Sequence, residues 1–442
     1  MTLVRIARMF IEPARVIRRN CLRQHAAALM GRDMLYRMRT SLRLIGSTVS
    51  LAALAAGNHV HAQDAAQDDT AEATTDPTLT DDLHDRRVNY QGRIVVSAQG
   101  IRDFDLLAGT DVVEGEELQR NLDGQIGEVL DSQPGVSASG FAPGASRPIL
   151  RGFSGERVKV LIDGIGAIDA SNTSDDHAVS IDALTAERIE VLRGPQGTLF
   201  GKNTSAGVLN VVTAAPEYEY GGSLEATFGD YGYNRYSGSL TGPIVEDVLA
   251  FRLFAAKGER DGFTQLVLDD GNGPAEVRDS ETQDYYTFRA QALWTPSDSV
   301  EGRLIYDYSS RDELCCSAVQ WDYAATPEFF VNAVGGQVIA PADPEARIAF
   351  ANREYMQEVE DQGVSAEFDI ELPIGTLTSV TALRRWDNDR TQDIDYSTAD
   401  IAYRGSGNYT RLDRFSQEVR LTGIWGDLDW LVGGFLSHEE LE

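Results

Sequence analysis

The chain has 442 residues, of which 39 are Lys or Arg and 69 are Asp or Glu, for a formal net charge of −30. This length leaves room for more than one domain, and the acidity argues against a nucleic-acid partner, which requires a basic surface. The cysteines are Cys21, Cys315 and Cys316, so neither a disulfide framework nor a C-x-x-C metal site is encoded. Two interpretations of the adjacent pair stay open, two loop thiols or a bond between neighbours.

Residues 1–62 form a leader with an export signal. Arginines between 32 and 43 precede an uncharged run at 44–57 and then the small-residue site Val60-His61-Ala62. This order predicts a secretory signal peptide, because the apolar run is too short to span a bilayer. The long basic stretch upstream leaves Met34 or Met38 as alternative starts. We expect the mature protein to be exported.

Residues 63–111 form a predicted disordered linker, since their first part is rich in Asp, Ala and Thr and poor in large apolar residues. A short β-prone segment lies near its end: Ile94, Val95, Val96, Ser97 and Ala98. This segment is either the first strand of the next domain or a free strand that adds to the sheet edge of another protein.

Residues 112–216 show an α/β pattern. Apolar residues at helical spacing predict a helix over 116–130, and strands are predicted at 158–162, around 189–192 and at 208–212. Asp163-Gly164 is a predicted turn, and glycines punctuate the stretch from Gly194 to Gly207.

This unit lacks the motifs of common enzymes. The segment from Gly197 to Asn203 is one residue shorter than a P-loop and has Asn where magnesium binding needs Ser or Thr, so we reject nucleotide binding. The cluster of Asp175, Asp176 and His177 has the chemistry of a divalent metal site, or it is an ordinary surface loop. We expect no enzyme activity and no cofactor.

From residue 222 the sequence alternates between apolar and polar residues, as strands with two different faces do. Nine strands are predicted, near 222–229, 234–242, 248–257, 284–294, 299–309, 362–371, 376–386, 412–422 and 427–437. In a soluble sandwich the apolar face forms the core, whereas in a membrane barrel it faces lipid. Alternation alone does not decide between them.

The connections favour the barrel. Short turns at 243–247, 295–298, 372–375 and 423–426 alternate with long polar loops at 258–283, 310–361 and 388–410. Short turns on one side and long loops on the other are typical of a bacterial outer-membrane barrel. The predicted fold class is therefore an α+β domain followed by an antiparallel transmembrane β-barrel.

Five motifs in a fixed order resemble the TonB-dependent outer-membrane receptors, in which an N-terminal plug fills a large barrel. They are GEVLDSQPGV at 127–136, PILRGF at 148–153, VLIDG at 160–164, ERIEVLRGP at 187–195 and GVLNVVT at 207–213. The segment at 94–98 is similar to the TonB box of that family. The resemblance implies a plug at 112–216 and the N-terminal part of the barrel at 222–442. The plug residues it marks are Arg151, Gly152, Asp163, Gly164, Arg193, Gly194, Pro195, Gly201 and Asn210.

The resemblance also implies gated import across the outer membrane. The plug blocks the lumen, an extracellular small molecule or metal chelate binds, and TonB of the inner-membrane energising complex pulls on the box. The expected cargo is a ferric siderophore or a similar bulky nutrient; zinc, haem or a glycan are alternatives. We expect the plug arginines, among them Arg147, Arg151, Arg157 and Arg193, to pair with acids on the inner wall of the barrel.

The number of strands departs from the family. Such barrels have about 22 strands, whereas nine are predicted before Glu442. A sheet with open edges is not stable in lipid, so we expect a truncated receptor. The competing function is a remnant without transport, acting at most as a periplasmic plug or binding module.

Overall fold

The structure is a computed structural model of the chain. It describes residues 110–121, 125–139, 146–167, 185–321, 325–337, 343–405 and 409–442. The described part begins with an α/β unit at 110–213, here called the plug unit. A large antiparallel sheet, here called the wall sheet, follows it.

The plug unit is built on a five-stranded sheet with the order β1-β6-β7-β4-β5. Its strands are β1 Thr110–Glu114, β4 Val158–Ile162, β5 Ile165–Gly166, β6 Ala186–Arg193 and β7 Gly207–Thr213. β4 and β7 run parallel, while the other neighbours are antiparallel. A separate pair joins β2 Val136–Ala138 to β3 Pro148–Leu150.

Three short helices accompany this sheet: α1 Gly115–Arg120, α2 Ile126–Leu130 and α3 Gly197–Phe200. The single helix predicted over 116–130 is wrong, because α1 ends at its C-cap Asn121 and α2 begins after Gln125. Asn121 has weak helix propensity because its side chain competes for backbone hydrogen bonds.

The core of the plug unit lies on both faces of β7, every residue of which is buried. Leu209 and Val211 belong to the main apolar cluster, together with Ile189 of β6. Val208 belongs to a second cluster that includes Phe200. A near-continuous apolar run is the pattern expected of a strand that is covered on both faces.

The wall sheet has nine main strands in the order β20-β19-β17-β16-β14-β13-β10-β9-β8, and a short strand, β18, pairs with β17. Their bounds are β8 Gly221–Phe228, β9 Asn234–Val245, β10 Leu249–Arg260, β13 Gln283–Ser297, β14 Val300–Glu313, β16 Met356–Leu372, β17 Gly375–Asp393, β18 Tyr403–Arg404, β19 Tyr409–Trp425 and β20 Leu428–Leu441. The antiparallel pairing confirms the predicted fold class. β8 and β20 are the edges of this sheet. None of the described helices has the length and apolar character needed to cross a bilayer.

The two faces of the wall sheet differ as a barrel requires. Large apolar residues are exposed on one face, for example Leu224, Leu304 and Val432. Charged residues such as Arg289 and Arg384 are buried on the other face. A soluble sandwich has the opposite arrangement, with its apolar face covered, so the exposed apolar face supports a surface made for lipid.

The long connections contain secondary structure that the sequence did not indicate. β11 Thr264–Leu268 pairs with β12 Glu276–Ser280 of the same loop and, in parallel, with β15 Ile348–Ala351 of the next long loop. Buried Leu266 and Tyr355 lie in the apolar cluster of this small sheet. The second loop also contains α4 Ala325–Ala333 and a 3₁₀ turn at Pro344–Ala346.

Cys315 and Cys316 are joined by a disulfide. The interpretation as two loop thiols is therefore wrong, and the bond between neighbours is the correct one. Both side chains are buried directly after β14, where the chain leaves the wall sheet.

Gly207 allows close packing at the start of β7 and supplies a test of the plug fold. Its φ is +152°, and an added Cβ would lie 2.2 Å from the carbonyl oxygen of Leu192 and 2.4 Å from Cδ2 of Leu150. Gly207→Ala is expected to lower the free energy of local opening of the plug sheet by about 3 kcal/mol, because backbone must move to relieve the clash. Hydrogen exchange of the β6 and β7 amides measures this change.

The matched control is Gly152→Ala. Gly152 has a φ of +81°, but no atom lies within 4 Å of its added Cβ, so only the backbone penalty of about 1 kcal/mol applies. Equal effects of the two substitutions would contradict a packing role for Gly207.

Candidate functional site

The contact between plug unit and wall sheet begins at the turn Asp163-Gly164, between β4 and β5. Both residues have positive φ, +49° and +76°, and the flanking Ile162 and Ile165 pair antiparallel. Two positive φ angles between paired strands are typical of a type I′ turn, for which Asp-Gly is a favoured sequence. The local sequence thus places the Asp163 carboxylate at a fixed tip of the plug sheet.

The Asp163 carboxylate binds both plug and wall. Its Oδ1 accepts a hydrogen bond from the backbone N–H of Thr213 at 2.9 Å, and its Oδ2 accepts one from Thr213 Oγ1 at 2.9 Å. From the wall, Arg289 of β13 donates to Oδ2, and Nη1 of Arg303 of β14 lies 3.6 Å from Oδ1. Asp163 is 2% exposed, Arg289 4% and Arg303 6%, so all three charges are removed from water.

The same wall residues hold the end of β7. Arg303 Nη2 donates to Thr213 Oγ1 at 3.0 Å and to Gln291 Oε1 at 2.6 Å. Gln291 Nε2 in turn donates to the carbonyl oxygen of Ala214 at 3.0 Å. The point at which the chain leaves the plug unit is therefore fixed to β13 and β14.

Further along the wall, charges of alternating sign continue the network. Arg289 Nη1 lies 3.7 Å from Asp307 Oδ1. Arg384 bridges two acids, since its Nη2 lies 2.9 Å from Asp307 Oδ2 and 2.9 Å from Asp361 Oδ2. The arginines and acids of β13, β14, β16 and β17 thus compensate one another.

On the plug side the network reaches the centre of the sheet. The backbone N–H of Gly164 donates to Asn210 Oδ1 at 3.1 Å, and Asn210 Nδ2 donates to Glu190 Oε2 at 3.0 Å. Arg188 Nε donates to the other oxygen of Glu190 at 3.0 Å. These buried groups of the plug sheet are therefore hydrogen-bonded to one another, as is usual for buried polar groups.

The surrounding charges keep Asp163 ionised. Burial alone raises the pKa of Asp163, but the charges of Arg303 and Arg289 and the hydrogen bonds from Thr213 outweigh burial and lower the pKa below its usual value. Such a buried pair adds little stability compared with an apolar contact, whereas removal of one partner leaves an uncompensated charge. The pair therefore fixes the position of the plug more than it strengthens the fold.

Of the predicted plug residues, Asp163, Gly164 and Asn210 join this network. Arg151, Gly152, Gly194 and Gly201 adopt positive φ, at +50°, +81°, +92° and +70°. Pro195 lies two residues after the end of β6. These five positions shape turns of the plug unit and take no part in the network.

The predicted pairing of plug arginines with wall acids is wrong for Arg193. It pairs with Asp111 of β1 and donates to the carbonyl oxygen of Pro134 at 2.8 Å, because β6 directs it into the plug unit itself. Across the contact at Asp163 the charges are reversed, with the acid on the plug and the arginines on the wall. The predicted arrangement, a basic plug residue beside an acidic wall residue, occurs at Lys202, which lies 3.5 Å from Glu439 of β20.

Four residues of this network were not predicted as site residues from the sequence: Arg289, Arg303, Gln291 and Thr213. Arg289, Gln291 and Arg303 all occupy the polar face of predicted strands. An inward-facing arginine in a barrel needs an acid to neutralise it. This requirement was the one feature of the sequence that could have marked these arginines as site residues. The plug acid that meets it lies more than 100 residues earlier, beyond the reach of any local pattern.

Two predicted sites fall outside the described residues. They are the possible TonB box at Ile94, Val95, Val96, Ser97 and Ala98, and the possible metal ligands Asp175, Asp176 and His177. Within the ranges that the structure describes, no group of three or more His, Cys, Asp or Glu side chains is arranged to hold a metal ion.

Comparison with known proteins agrees with this architecture. The family described as TonB-dependent Receptor Plug Domain matches residues 102–208. The chain is similar to a vitamin B12 transporter of Vibrio vulnificus, with 26% identity over 244 residues, which is 54% of this chain and 36% of that protein. The chain thus spans about a third of the length of this curated relative.

Solved structures show the same fold. The ferric yersiniabactin uptake receptor of Yersinia pestis aligns with a TM-score of 0.56 at 18% identity, over 76% of this chain and 49% of the receptor. A ferric enterobactin receptor of Pseudomonas aeruginosa aligns with a TM-score of 0.55 at 15% identity, over 75% of this chain and 49% of that one. These relatives are described as a transporter and as receptors. The chain therefore contains a TonB-dependent receptor plug domain at residues 102–208, and the antiparallel strands that follow have the fold of the barrel strands in such receptors.

Proposed function

We propose that the chain provides the plug and the first barrel strands of an active transporter. This transporter imports a ferric siderophore or a similar bulky nutrient and is energised by TonB through residues 94–98. The observation that carries the proposal is the contact of Asp163 with Arg289 and Arg303. Ion pairs of this kind hold the plug against the wall and can be broken when the plug moves.

Two further polar contacts accompany the Asp163 network. In the link between the plug unit and β8, Glu217 lies 2.5 Å from Arg252 of β10, which also donates to the carbonyl oxygen of Ala215 at 2.7 Å. Lys202 and Glu439 supply a further ion pair. Water can replace such partners when the plug moves, whereas exposure of an apolar interface costs about 25 cal/mol per Å². A polar interface therefore suits a plug that has to be displaced in each transport cycle.

The position of β1 suits a pulling mechanism. Residues 99–109 separate the possible box from β1, which in the described part of the chain is an edge strand paired with β6. A force on the preceding chain acts first on this short pairing and on the ion pair of Asp111 with Arg193. From β6 the Glu190–Asn210 contact leads to the turn at Asp163.

Two cargo classes have specific support. The solved relatives include receptors for ferric yersiniabactin and ferric enterobactin, which favours a ferric siderophore. The vitamin B12 transporter favours a corrinoid as the second candidate. Uptake of radiolabelled ferric siderophore and of labelled cobalamin in a deletion strain, with and without the restored gene, separates the two.

A substitution in the possible TonB box tests the energised step. Val95→Pro is expected to abolish crosslinking to TonB and uptake while ligand binding stays unchanged, because proline removes a backbone donor needed for strand addition. Thr75→Pro in the predicted linker is the matched control and should transport normally. Normal uptake by Val95→Pro would refute the placement of the box.

Asp163→Asn tests the contact between plug and wall. The substitution keeps the size of the side chain but leaves Arg289 and Arg303 without their plug acid, so the free energy of local opening at β4 and β7 should fall by about 3 kcal/mol. Hydrogen exchange of these amides measures the fall. Glu225→Gln is the control, because Glu225 pairs with Arg235 within the wall sheet at 2.9 Å. Unchanged exchange in Asp163→Asn would contradict a holding role.

The pH dependence of this contact follows from the lowered pKa of Asp163. A carboxyl group whose pKa is lower in the folded state stabilises that state fully above its unfolded pKa of about 3.9. The stabilisation is lost only as the pH falls through the lower, folded value. Amide protection at β4 should therefore stay constant from about pH 5 to 8, and a loss of protection within that range would show that Asp163 is not held as described.

A further inference from the structure

A cavity of about 680 Å³ lies between the plug unit and the last strands of the wall sheet. β4 and β5 line one side, and β19 and β20 line the other. The volume falls in the range of small-molecule sites. None of the predicted site residues except Gly164 and Gly201 lines it.

Lys159 and Arg414 face this cavity from opposite sides. The Lys159 ammonium donates to the carbonyl oxygen of Phe200 at 2.5 Å and has no carboxylate within ion-pair distance in the described chain. Burial and the nearby charge of Arg414 lower the pKa of Lys159. Two cations that repel each other across a cavity are stabilised by an anion between them.

Arg414 is held there with its donors unused. Its side chain is 11% exposed, and its closest acid is Glu439, with Nε 3.6 Å from Oε1. No hydrogen bond from this guanidinium forms within the described residues, and its buried Nε is without an acceptor. Gly166 leaves room for the Arg414 guanidinium because it has no side chain. An added Cβ would lie 2.8 Å from Arg414 Nη1.

The remaining charges of the cavity are largely compensated. Arg420 pairs with Glu418 at 2.8 Å, and Glu439 is shared between Lys202 and Arg414 at 3.5 and 3.6 Å. Among the described residues, Lys159 and the guanidinium group of Arg414 are two positive groups of the cavity that lack a full partner. Charge-assisted hydrogen bonds from such groups select carboxylate and phosphate oxygens.

We propose that Lys159 and Arg414 form a binding site for an oxyanion, a carboxylate or phosphate group, in the gap between plug and wall. The oxyanion comes either from solution or from an anionic group of the transported molecule. The binding site itself stands on the cavity and its charges. Its use during import rests on the proposed transport function.

Lysine labelling tests the site directly, because the sequence contains three lysines, Lys159, Lys202 and Lys257. The purified receptor in detergent is treated with an amine-reactive ester, with and without inorganic phosphate, and each lysine is quantified by mass spectrometry. A bound anion keeps Lys159 protonated, so saturating phosphate should slow its labelling about fivefold. Lys257 lies on the exposed face and is paired with Glu259, so its rate should not change.

Two variants give opposite predictions. Arg414→Gln should weaken phosphate binding about tenfold, the size expected for loss of a charge-assisted hydrogen bond. Glu439→Gln should strengthen it about threefold, because it removes a carboxylate that competes for Arg414. The second variant keeps the test decisive if the first does not fold. Absence of protection in the wild type, or equal affinity of all three proteins, would overturn the site.

Uptake separates the two sources of the oxyanion. If the cargo supplies it, Arg414→Gln should lower the uptake of an anionic ferric chelate relative to the wild type. Phosphate protection together with normal chelate uptake would retain the site for a solution anion and overturn its role in import. Chelate uptake without any phosphate protection would leave the transport function intact and refute the site.

Discussion

The buried ion pairs of Asp163 with Arg289 and Arg303 are the constraint on which the described architecture depends. A sheet whose polar face is turned inward cannot leave its arginines unpaired. Wall acids neutralise Arg384, whereas the plug supplies a counterion for Arg289 and Arg303. Asp163 does so from a two-residue turn that has little freedom to move. Arg303 also binds Thr213 at the end of β7. The tip of the plug sheet and the point where the chain leaves the plug unit are therefore fixed together.

Polar contacts across this interface reconcile two requirements that otherwise conflict. In the proposed transport function, the plug blocks the lumen at rest and moves when cargo passes. An apolar interface meets only the first requirement, since its separation exposes surface that water does not solvate well. An interface of paired charges and hydrogen bonds gives a defined resting position at a modest net stability, which is the known behaviour of buried ion pairs.

The sequence predicted the parts of this structure that depend on local periodicity and turn chemistry. The strands of the wall sheet follow from alternation, and the turn at Asp163-Gly164 follows from its residue types. The arginine partners of Asp163 could not be predicted, because an ion pair between the β4–β5 turn and β13 has no local sequence signature. The predicted pairing of Arg193 with a wall acid was wrong for a related reason. β6 is buried within the plug unit, so Arg193 pairs with Asp111 of the neighbouring β1. The ordered structure of the long loops also depends on pairing between distant segments.

The parallel pairing of β11 with β15 ties two long loops into one folded body. Loops at a cell surface ordinarily diverge independently, because each contacts only solvent. Here an insertion that shifts the register of one loop removes backbone partners from the other, and a substitution at Leu266 alters the packing of Tyr355. A change in one loop therefore affects both, and their sequences are expected to diverge as a single unit.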